Sequence, residues 1–317
     1  MTFFGTKQCS LPTAALASVL LIFSLSGCVQ EVKRTKSSEG PPTLENVPEP
    51  KKSKMLNLSI EEVMAKGRDY LDENNLKLAR LYFTRALAID SGSPKALTGM
   101  GEVLRQQGHF EEAESLFREA LEMREALFGP DHPKVALTVN NLALVHRRQA
   151  HYRRAEPLFH RALSIRRTQL GKEHVSVAIS LFGLAGLLHR TDRRRPALDA
   201  YEEALALFRT HLGRHHSFVA RTQMGIGSVH LDLGNSDAAA ESLRTGFDRV
   251  RRIHSDSSIE YALGAGRLGR FHLERGDTSR AKSLLTEGLT TLKAIEKSVT
   301  PRQQILARHL TRLAPDP

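Results

Sequence analysis

Histidine is the residue type in this chain that could do metal or acid–base chemistry most directly, since 14 of the 317 residues are His. His211, His215 and His216 lie at i, i+4 and i+5, close enough on a helix to share a ligand. His216, however, occupies a slot that His132 and His174 also occupy, at intervals of 42 residues. A residue that recurs with a structural period is more often structural than catalytic. We therefore predict no metal site and no cofactor.

Other catalytic signatures are missing from the sequence. There is no His-Glu-x-x-His motif, and the two cysteines, Cys9 and Cys28, form no CxxC pair. Gly225 and Gly227 fall inside a predicted helix and do not follow a strand, so they indicate close packing and not a phosphate-binding loop. Nothing in the residue pattern indicates a Ser/His/Asp triad. We predict that the protein is not an enzyme.

Anion binding by arginine is the second chemistry that the residues allow. The net charge is +11, and the stretch from Val145 to Ala220 holds fourteen Lys and Arg against six Asp and Glu. Guanidinium groups bind carboxylates and phosphates in a two-pronged geometry. Two interpretations are open: a charged face solvated by water, or a basic groove for an acidic peptide or polymer. The centre of this stretch contains Arg147, Arg148, Arg153, Arg154, Arg190, Arg193, Arg194 and Arg195.

An internal repeat determines which elements carry these residues. One helical hairpin recurs six times between about residues 60 and 292, and its second helix begins with the same small residue. The first step between copies is 34 residues and the next four are 42 residues each. Such periodicity predicts a solenoid, in which each unit buries its apolar face against its neighbours. The aligned residues are Ala79, Ala113, Ala155, Ala197, Ala239 and Ala281.

The third unit shows the pattern most clearly. Ala155, Phe159 and Ala162 are spaced i, i+4 and i+7, so they share one stripe of a second helix near residues 153–170. The stretch LFGPDHPKVALTVNNLALVHRRQAHYRRAEPLFHRAL resembles the long, 42-residue tetratricopeptide repeats of kinesin light chains and related bacterial proteins. The resemblance implies an all-α solenoid of about six helix-turn-helix units and a surface that binds other proteins. The fifth and sixth units have Leu243 and Leu285 where Phe159 stands, so we expect looser packing there.

The predicted solenoid extends over residues 58–300. Eight additional residues per unit lengthen the second helices by about 12 Å, at about 1.5 Å per residue. Leu306 and Leu310 lie at helical spacing in a last segment, residues 301–317. This segment is predicted to be a capping helix and tail that cover the final apolar face. It could also be the first half of a decayed seventh unit.

The N-terminal 27 residues have a different pattern. Lys7 precedes an apolar run from Thr13 to Phe23, which is short for a membrane span and is followed by Leu-Ser-Gly-Cys28. This arrangement resembles the lipobox of bacterial lipoproteins and implies cleavage before Cys28 and lipidation of its thiol. Residues 1–27 would be the signal peptide and residues 28–57 the lipidated cysteine with a disordered tether. An uncleaved anchor or an ordinary signal peptide is the alternative.

Cysteine use and the residue after Cys28 bear on the compartment. Cys9 would leave with the signal peptide and Cys28 would carry lipid, so no disulfide is expected. Several acyl chains hold a protein almost permanently on a bilayer. Val29 stands where an aspartate favours inner-membrane retention in Gram-negative lipoproteins. By that analogy we expect a lipid-anchored protein of the cell envelope that faces the periplasm, on the outer membrane.

The resemblance also implies where a partner binds, because first helices line the concave groove in this family. Asn140 matches an asparagine that hydrogen-bonds an extended peptide in related repeats. The rest of the carboxylate-clamp set is missing, so a chaperone C-terminus is not the expected ligand. Arg153 and Arg154 fall at a turn, on the rim. The predicted groove residues are Thr98, Glu102, Arg105 and Gln106 in the second unit, Asn140, Leu144, Arg147 and Arg148 in the third, and Phe182, Gly186, His189 and Arg190 in the fourth.

The predicted function is a non-catalytic scaffold that binds a partner protein or peptide of acidic character. Two alternatives are a pilotin-like escort of pilus or secretion subunits and an activator of a cell-wall enzyme. Basicity is the first criterion for nucleic-acid binding, but the chain has no Trp, and its aromatic residues are assigned to repeat cores. Export would also separate the protein from DNA and RNA. The sequence does not identify the partner or the oligomeric state.

Overall fold

The computed structural model describes residues 58–295 and 301–311, and all regular structure in those residues is helical. The first helices of six hairpins are α1 (Ile60–Asp72), α3 (Pro94–Gln107), α5 (Pro133–Arg148), α7 (Val175–Arg190), α9 (Ser217–Asp232) and α11 (Ile259–Glu274). The second helices are α2 (Leu76–Ile89), α4 (Phe110–Phe128), α6 (Tyr152–Leu170), α8 (Arg194–Leu212), α10 (Ser236–Ile253) and α12 (Thr278–Ile295). A thirteenth helix, α13 (Pro301–Thr311), follows them. The all-α repeat fold expected from the sequence is confirmed.

The hairpins stack in chain order. Each helix packs against the next one along the chain, and the closest contacts beyond these run between successive first helices. The first helices therefore lie nearer to one another than the second helices do, and they line the concave side of the stack. Helix α13 packs against α11 and α12, where the apolar side of the last hairpin needs cover.

One large side chain per unit fills the space between neighbouring first helices. Phe83, Phe117 and Phe159 have no exposed surface. Glycines face these rings, and a Cβ at Gly99 or Gly183 would overlap the ring that it faces. Such close approach requires glycine at these two positions.

The fifth and sixth units are not loosely packed at this slot, contrary to the expectation from the sequence. Leu243 and Leu285 have no exposed surface. A Cβ at Gly246 would lie 2.9 Å from Cγ of Met224, and one at Gly288 would lie 2.8 Å from a backbone oxygen. Glycine lets the neighbouring helix move closer, so the smaller leucine still fills its space.

The histidines that recur every 42 residues are helix caps. Nδ1 of His132 accepts a hydrogen bond from the backbone N–H of Lys134 at 3.1 Å. Nδ1 of His174 accepts one from Ser176 at 3.0 Å, and His216 repeats the arrangement at α9. Each imidazole satisfies an N–H that the first turn of a helix leaves without a partner. Within residues 58–295 and 301–311, no group of three or more His, Cys, Asp or Glu side chains is placed to hold a metal ion.

Two buried arginines join units two, three and four. Nη1 of Arg166 donates to the backbone oxygen of Ser176 at 2.9 Å and to Oγ of Ser180 at 2.7 Å. Arg124, 42 residues earlier, makes the same pair of contacts with Lys134 and Thr138. Burial lowers the pKa of Arg166 to about 10. These joints are polar, yet they lie inside the stack.

The predicted signal peptide, Cys28 and the predicted tether lie outside the described residues. None of the helices in the described ranges is both long and apolar enough to cross a bilayer. The second helices α4, α6 and α8 each have 19 residues, against 14 in α2, so they are longer by five residues and not by the eight expected from the insertion.

Candidate functional site

Four arginines from four successive first helices form a basic cluster on the concave side. Among the described residues, none of the four has a carboxylate ion pair or a hydrogen-bond partner. Guanidinium groups in folded proteins usually find such partners when they are partly buried. We call Arg147 (α5), Arg190 (α7), Arg221 (α9) and Arg267 (α11) the arginine cluster.

Arg147 lies in a seat made by a glycine. A Cβ at Gly186, on α7, would overlap Nη1 of Arg147 and would lie 3.4 Å from Oη of Tyr201. Nε of Arg147 is buried, and its N–H has no acceptor among the described residues. Glycine at this position therefore lets the guanidinium of one unit lie against the first helix of the next, beside a tyrosine hydroxyl.

Tyr201 carries the polar atom at the centre of this arrangement. Its ring occupies the slot that phenylalanine fills in the first three units, and the residue is 6% exposed. A Cβ at Gly225, on α9, would lie 2.7 Å from Cζ of Tyr201, so the ring passes between two first helices. Its hydroxyl reaches the concave side and meets no hydrogen-bond partner in the described part of the chain.

Arg221 rests on an aromatic platform. Its Cζ lies 5.4 Å from the ring centroid of Phe182 and 5.5 Å from that of Phe218. The Phe182 ring is in turn 5.8 Å from the ring of Tyr201. These distances fall within the range of cation–π attraction, which does not use the N–H donors of the guanidinium. Arg221 is solvent-exposed yet has protein on several sides, as expected of a side chain on a concave wall.

Electrostatic interactions link the arginines of different units. Burial lowers the pKa of Arg147 to about 10, which Tyr201 opposes. The charges of Arg190, Arg105 and Arg221 lower it further, although they belong to different units. Burial also lowers the pKa of Arg267, again with Tyr201 opposing and with Arg221 and Arg190 adding to the shift. Tyr201 therefore faces several members of the cluster at once.

Arg105 and Gln106, which the sequence also assigned to the groove, have an internal partner. Nε of Arg105 donates to Glu102 at 2.9 Å, and Nη2 lies 2.5 Å from the other carboxylate oxygen. Nε2 of Gln106 donates to the same oxygen at 2.9 Å. Burial would raise the pKa of Glu102, but the charge of Arg105 and its hydrogen bonds lower it. The second unit is thus locally neutral.

Asn140 and His189 have internal partners as well. Asn140 is 2% exposed, and its Oδ1 accepts a hydrogen bond from Oγ of Ser180 at 3.4 Å. The expectation that Asn140 offers its side chain to a bound peptide is therefore corrected, because its slot faces the next unit and not the groove. Nε2 of His189 lies 2.5 Å from Oδ2 of Asp232, so the histidine links α7 to α9.

Leu144 and Arg148 complete the predicted set. Leu144 is half-buried and packs against the central apolar core. Arg148 is exposed at the end of α5. Of the predicted residues, Arg147, Gly186 and Phe182 come together around Tyr201, and the charge of the exposed Arg190 acts on Arg147. Sequence reasoning missed Tyr201, Arg221 and Arg267, and the one available signal was a tyrosine in a slot that otherwise holds phenylalanine.

The rim arginines differ from the cluster. Arg193 binds Glu156 through two hydrogen bonds, of 2.6 and 2.8 Å. Arg194 lies 2.5 Å from Asp192. These side chains fit the interpretation of a solvated, locally balanced surface. The cluster does not fit it, because its positive charges are gathered on the inner wall without carboxylate partners in the described ranges.

Comparison with known proteins identifies the repeat. The model of the tetratricopeptide repeat family matches residues 93–168 and 152–210. The matched residues are tetratricopeptide repeats. No curated protein matches the chain. Tetratricopeptide repeats generally serve as scaffolds for protein interaction and are typically non-catalytic, because stacked hairpins offer an extended concave surface.

Solved structures share the fold at low sequence identity. BtubC (BKLC) from P. vanneervenii is 20% identical over 77% of this chain and 95% of that chain, with a TM-score of 0.54. A variant of the nearly identical TPR-like repeats of a Podosopora anserina kinesin light chain is 17% identical over 65% and 98%, with a TM-score of 0.51. A Rap protein complexed with Competence and Sporulation Factor is 14% identical over 82% and 77%, with a TM-score of 0.59. These likenesses concern the fold alone.

Proposed function

We propose that this protein is a non-catalytic interaction scaffold that binds an acidic segment of a partner protein in the groove lined by the arginine cluster. We further propose that lipid on Cys28 anchors it to the bacterial cell envelope, where it faces the periplasm from the outer membrane. The observation that carries the first part is that Arg147, Arg190, Arg221 and Arg267 all project from first helices, without a carboxylate ion pair among the described residues.

Electrostatics supports an anionic ligand. Partly buried charges that lack partners destabilise a fold, so the like charges in this groove lower the stability of the unliganded protein. Carboxylates from a partner would relieve that repulsion, and the long-range field would accelerate their encounter with the groove. The solenoid supplies the matching shape, since an extended peptide fits the inner wall of stacked first helices.

Charge reversal in the groove tests the first part. A fluorescein-labelled peptide of consecutive glutamates is titrated into the full-length protein, and binding is followed by fluorescence anisotropy. The double variant Arg147→Glu/Arg190→Glu is expected to bind at least about tenfold more weakly than the wild type, because two attractive charges become repulsive.

The matched control is the rim double variant Arg153→Glu/Arg154→Glu, which makes the same change in net charge on exposed side chains. It is expected to keep most of the affinity. Equal losses in the two variants would show that overall charge, and not the groove, binds the peptide.

The anchor is tested separately. Cells that express the chain are labelled with palmitate, and the protein is isolated. The Cys28→Ala variant is expected to lose the label and to stay unprocessed, whereas Cys9→Ala is expected to keep both the label and the processing. Retained label in Cys28→Ala would contradict the anchor and leave the groove proposal untouched.

A further inference from the structure

We infer that the arginine cluster and the Tyr201 hydroxyl together form a binding site for a diphosphate group. This inference rests on the proposed use of the groove for anions and goes beyond it, because it adds paired phosphoryl groups as a second class of anion beside the carboxylates of a peptide. The geometry that carries it is the meeting of Arg147, Gly186 and Tyr201 on the concave side.

Tyr201 provides a fixed hydrogen-bond donor. The residue is more than nine-tenths buried, yet its hydroxyl has no partner within the described residues. The ring is held between α7 and α9 by the glycines that face it. The hydroxyl itself is not enclosed: it ends at the concave surface without a protein partner, where it can donate to a bound group.

Arg147 lies beside the Tyr201 hydroxyl. Its guanidinium lies where a side chain at residue 186 would begin, and its Nε is buried without a partner in the described ranges. Its Nη1 and the Tyr201 hydroxyl border the same glycine, so both can donate to one bound group.

Arg221 and Arg267 add charge from the following units. The guanidinium of Arg221 lies 5.4 Å from the ring centroid of Phe182 and 5.5 Å from that of Phe218. Arg267, from α11, lies close enough for the charges of Arg221 and Arg190 to act on it. The carboxylates that act on Arg221 in the opposite sense are Glu260 and Glu102, and Glu102 is already paired with Arg105. The cluster therefore carries a large excess of positive charge in one place.

The number of donors favours phosphate over carboxylate. Each guanidinium has five N–H donors, and a carboxylate accepts only about four hydrogen bonds and carries one negative charge. A phosphoryl group carries about −1.5 to −2 charges and three strong acceptor oxygens. Two adjacent phosphoryl groups match four arginines in charge and fill one compact space. Four separate carboxylates would have to converge on the same point along a chain that spreads them apart.

Isothermal titration of the full-length protein with inorganic pyrophosphate tests the site. We expect one pyrophosphate per chain, bound about tenfold more tightly than citrate, which presents three carboxylates in a similar volume. Inorganic phosphate should bind more weakly than pyrophosphate. Equal or tighter binding of citrate would overturn the choice of phosphate.

Two variants locate the site. Tyr201→Phe is expected to weaken pyrophosphate binding about tenfold, because it removes one hydrogen bond to a charged group. It should fold normally, since phenylalanine fills this slot in three other units. Gly186→Ala, which displaces Arg147, should weaken binding too. Unchanged affinity in Tyr201→Phe would overturn the inference even if Gly186→Ala were unstable.

The labelled glutamate peptide separates this inference from the proposed function. If the peptide binds and pyrophosphate neither binds nor displaces it, the diphosphate site is wrong and the acidic-partner groove stands. If pyrophosphate binds and the peptide does not, the proposed partner class is wrong and the diphosphate site stands. If neither binds the wild-type protein, both fail. Binding that is equal in the wild type and in Arg147→Glu/Arg190→Glu places the anion elsewhere and also overturns the site.

Discussion

Nε2 of His189 lies 2.5 Å from Oδ2 of Asp232, and Arg270 donates to the other oxygen of the same carboxylate. One side chain thus ties three successive first helices, α7, α9 and α11, at the end of each. Burial alone would raise the pKa of Asp232, but the hydrogen bonds from His189 and Arg270 outweigh it and lower the pKa to about 2.

Asp232→Asn is expected to lower the free energy of unfolding by about 2 kcal/mol at neutral pH. A carboxyl whose pKa falls from 3.8 to about 2 on folding stabilises the fold fully above its unfolded pKa. That contribution is lost as the pH falls from about 4 towards 2. Urea denaturation at several pH values measures both effects. Asp199→Asn, at an exposed site on α8, is the control. An equal loss of unfolding free energy in that variant would contradict a stabilising role of the contacts that Asp232 makes.

The fold could be predicted from the sequence because its information is periodic. The slots of Ala155 and Phe159 recur at fixed offsets in successive units, and each slot has the same packing position in every unit. Helix ends were also predictable, since Gly171 and His174 recur with the hairpin. The role of the histidines needed the structure, because spacing alone does not show that Nδ1 accepts a backbone N–H.

The candidate site was only half predictable. Arg147 and Arg190 stood out in a basic stretch, but Arg221 aligns with Ile179 in the preceding unit, and Arg267 aligns with Gly225. Neither belongs to a repeated slot. They join the cluster because successive first helices pack side by side along the concave side, and a residue pattern does not show which long side chains approach one another across them.

The histidine cap of α7 gives a second stability test. His174→Ala should lower the free energy of unfolding by about 1 kcal/mol, because the N–H of Ser176 loses its acceptor. His174→Asn should keep most of the stability, since asparagine is a strong cap. Thermal melts compare the two, with exposed His215→Ala as the unaffected reference. Equal losses in the alanine and asparagine variants would show that the imidazole does more than cap.

Adjacent arginines on α6 give a third test. Arg166 is buried and bonded to Ser180, whereas Arg167 forms an exposed pair with Glu203 at 2.6 Å. Arg166→Ala is expected to cost about 3 kcal/mol, because it leaves a cavity and two acceptors without a donor. Arg167→Ala should cost less than about 1 kcal/mol. Chemical denaturation measures the free energy of unfolding of both variants. Similar losses in the two variants would contradict a structural role for Arg166 between the units.

Repulsion within the arginine cluster predicts a gain of stability. Arg267→Gln should raise the melting temperature at low ionic strength, because it removes one of several like charges that have no carboxylate partner in the described residues. The gain should shrink as salt is added. Arg153→Gln on the rim is the matched control and should change little. A loss of stability in Arg267→Gln would indicate that the guanidinium has a stabilising partner.

The tyrosine at residue 201 differs from the phenylalanines of other units by one oxygen atom. Core volume is the same with or without that atom, so an array of this kind can acquire a recognition point, or lose one, without rebuilding its interior. Phe117 and Phe159 each already face a glycine. Replacing either one with tyrosine would add a hydroxyl group in another unit. In such an array, binding specificity can change in one unit while the packing of the other units stays the same. A globular enzyme has one shared interior and lacks this independence.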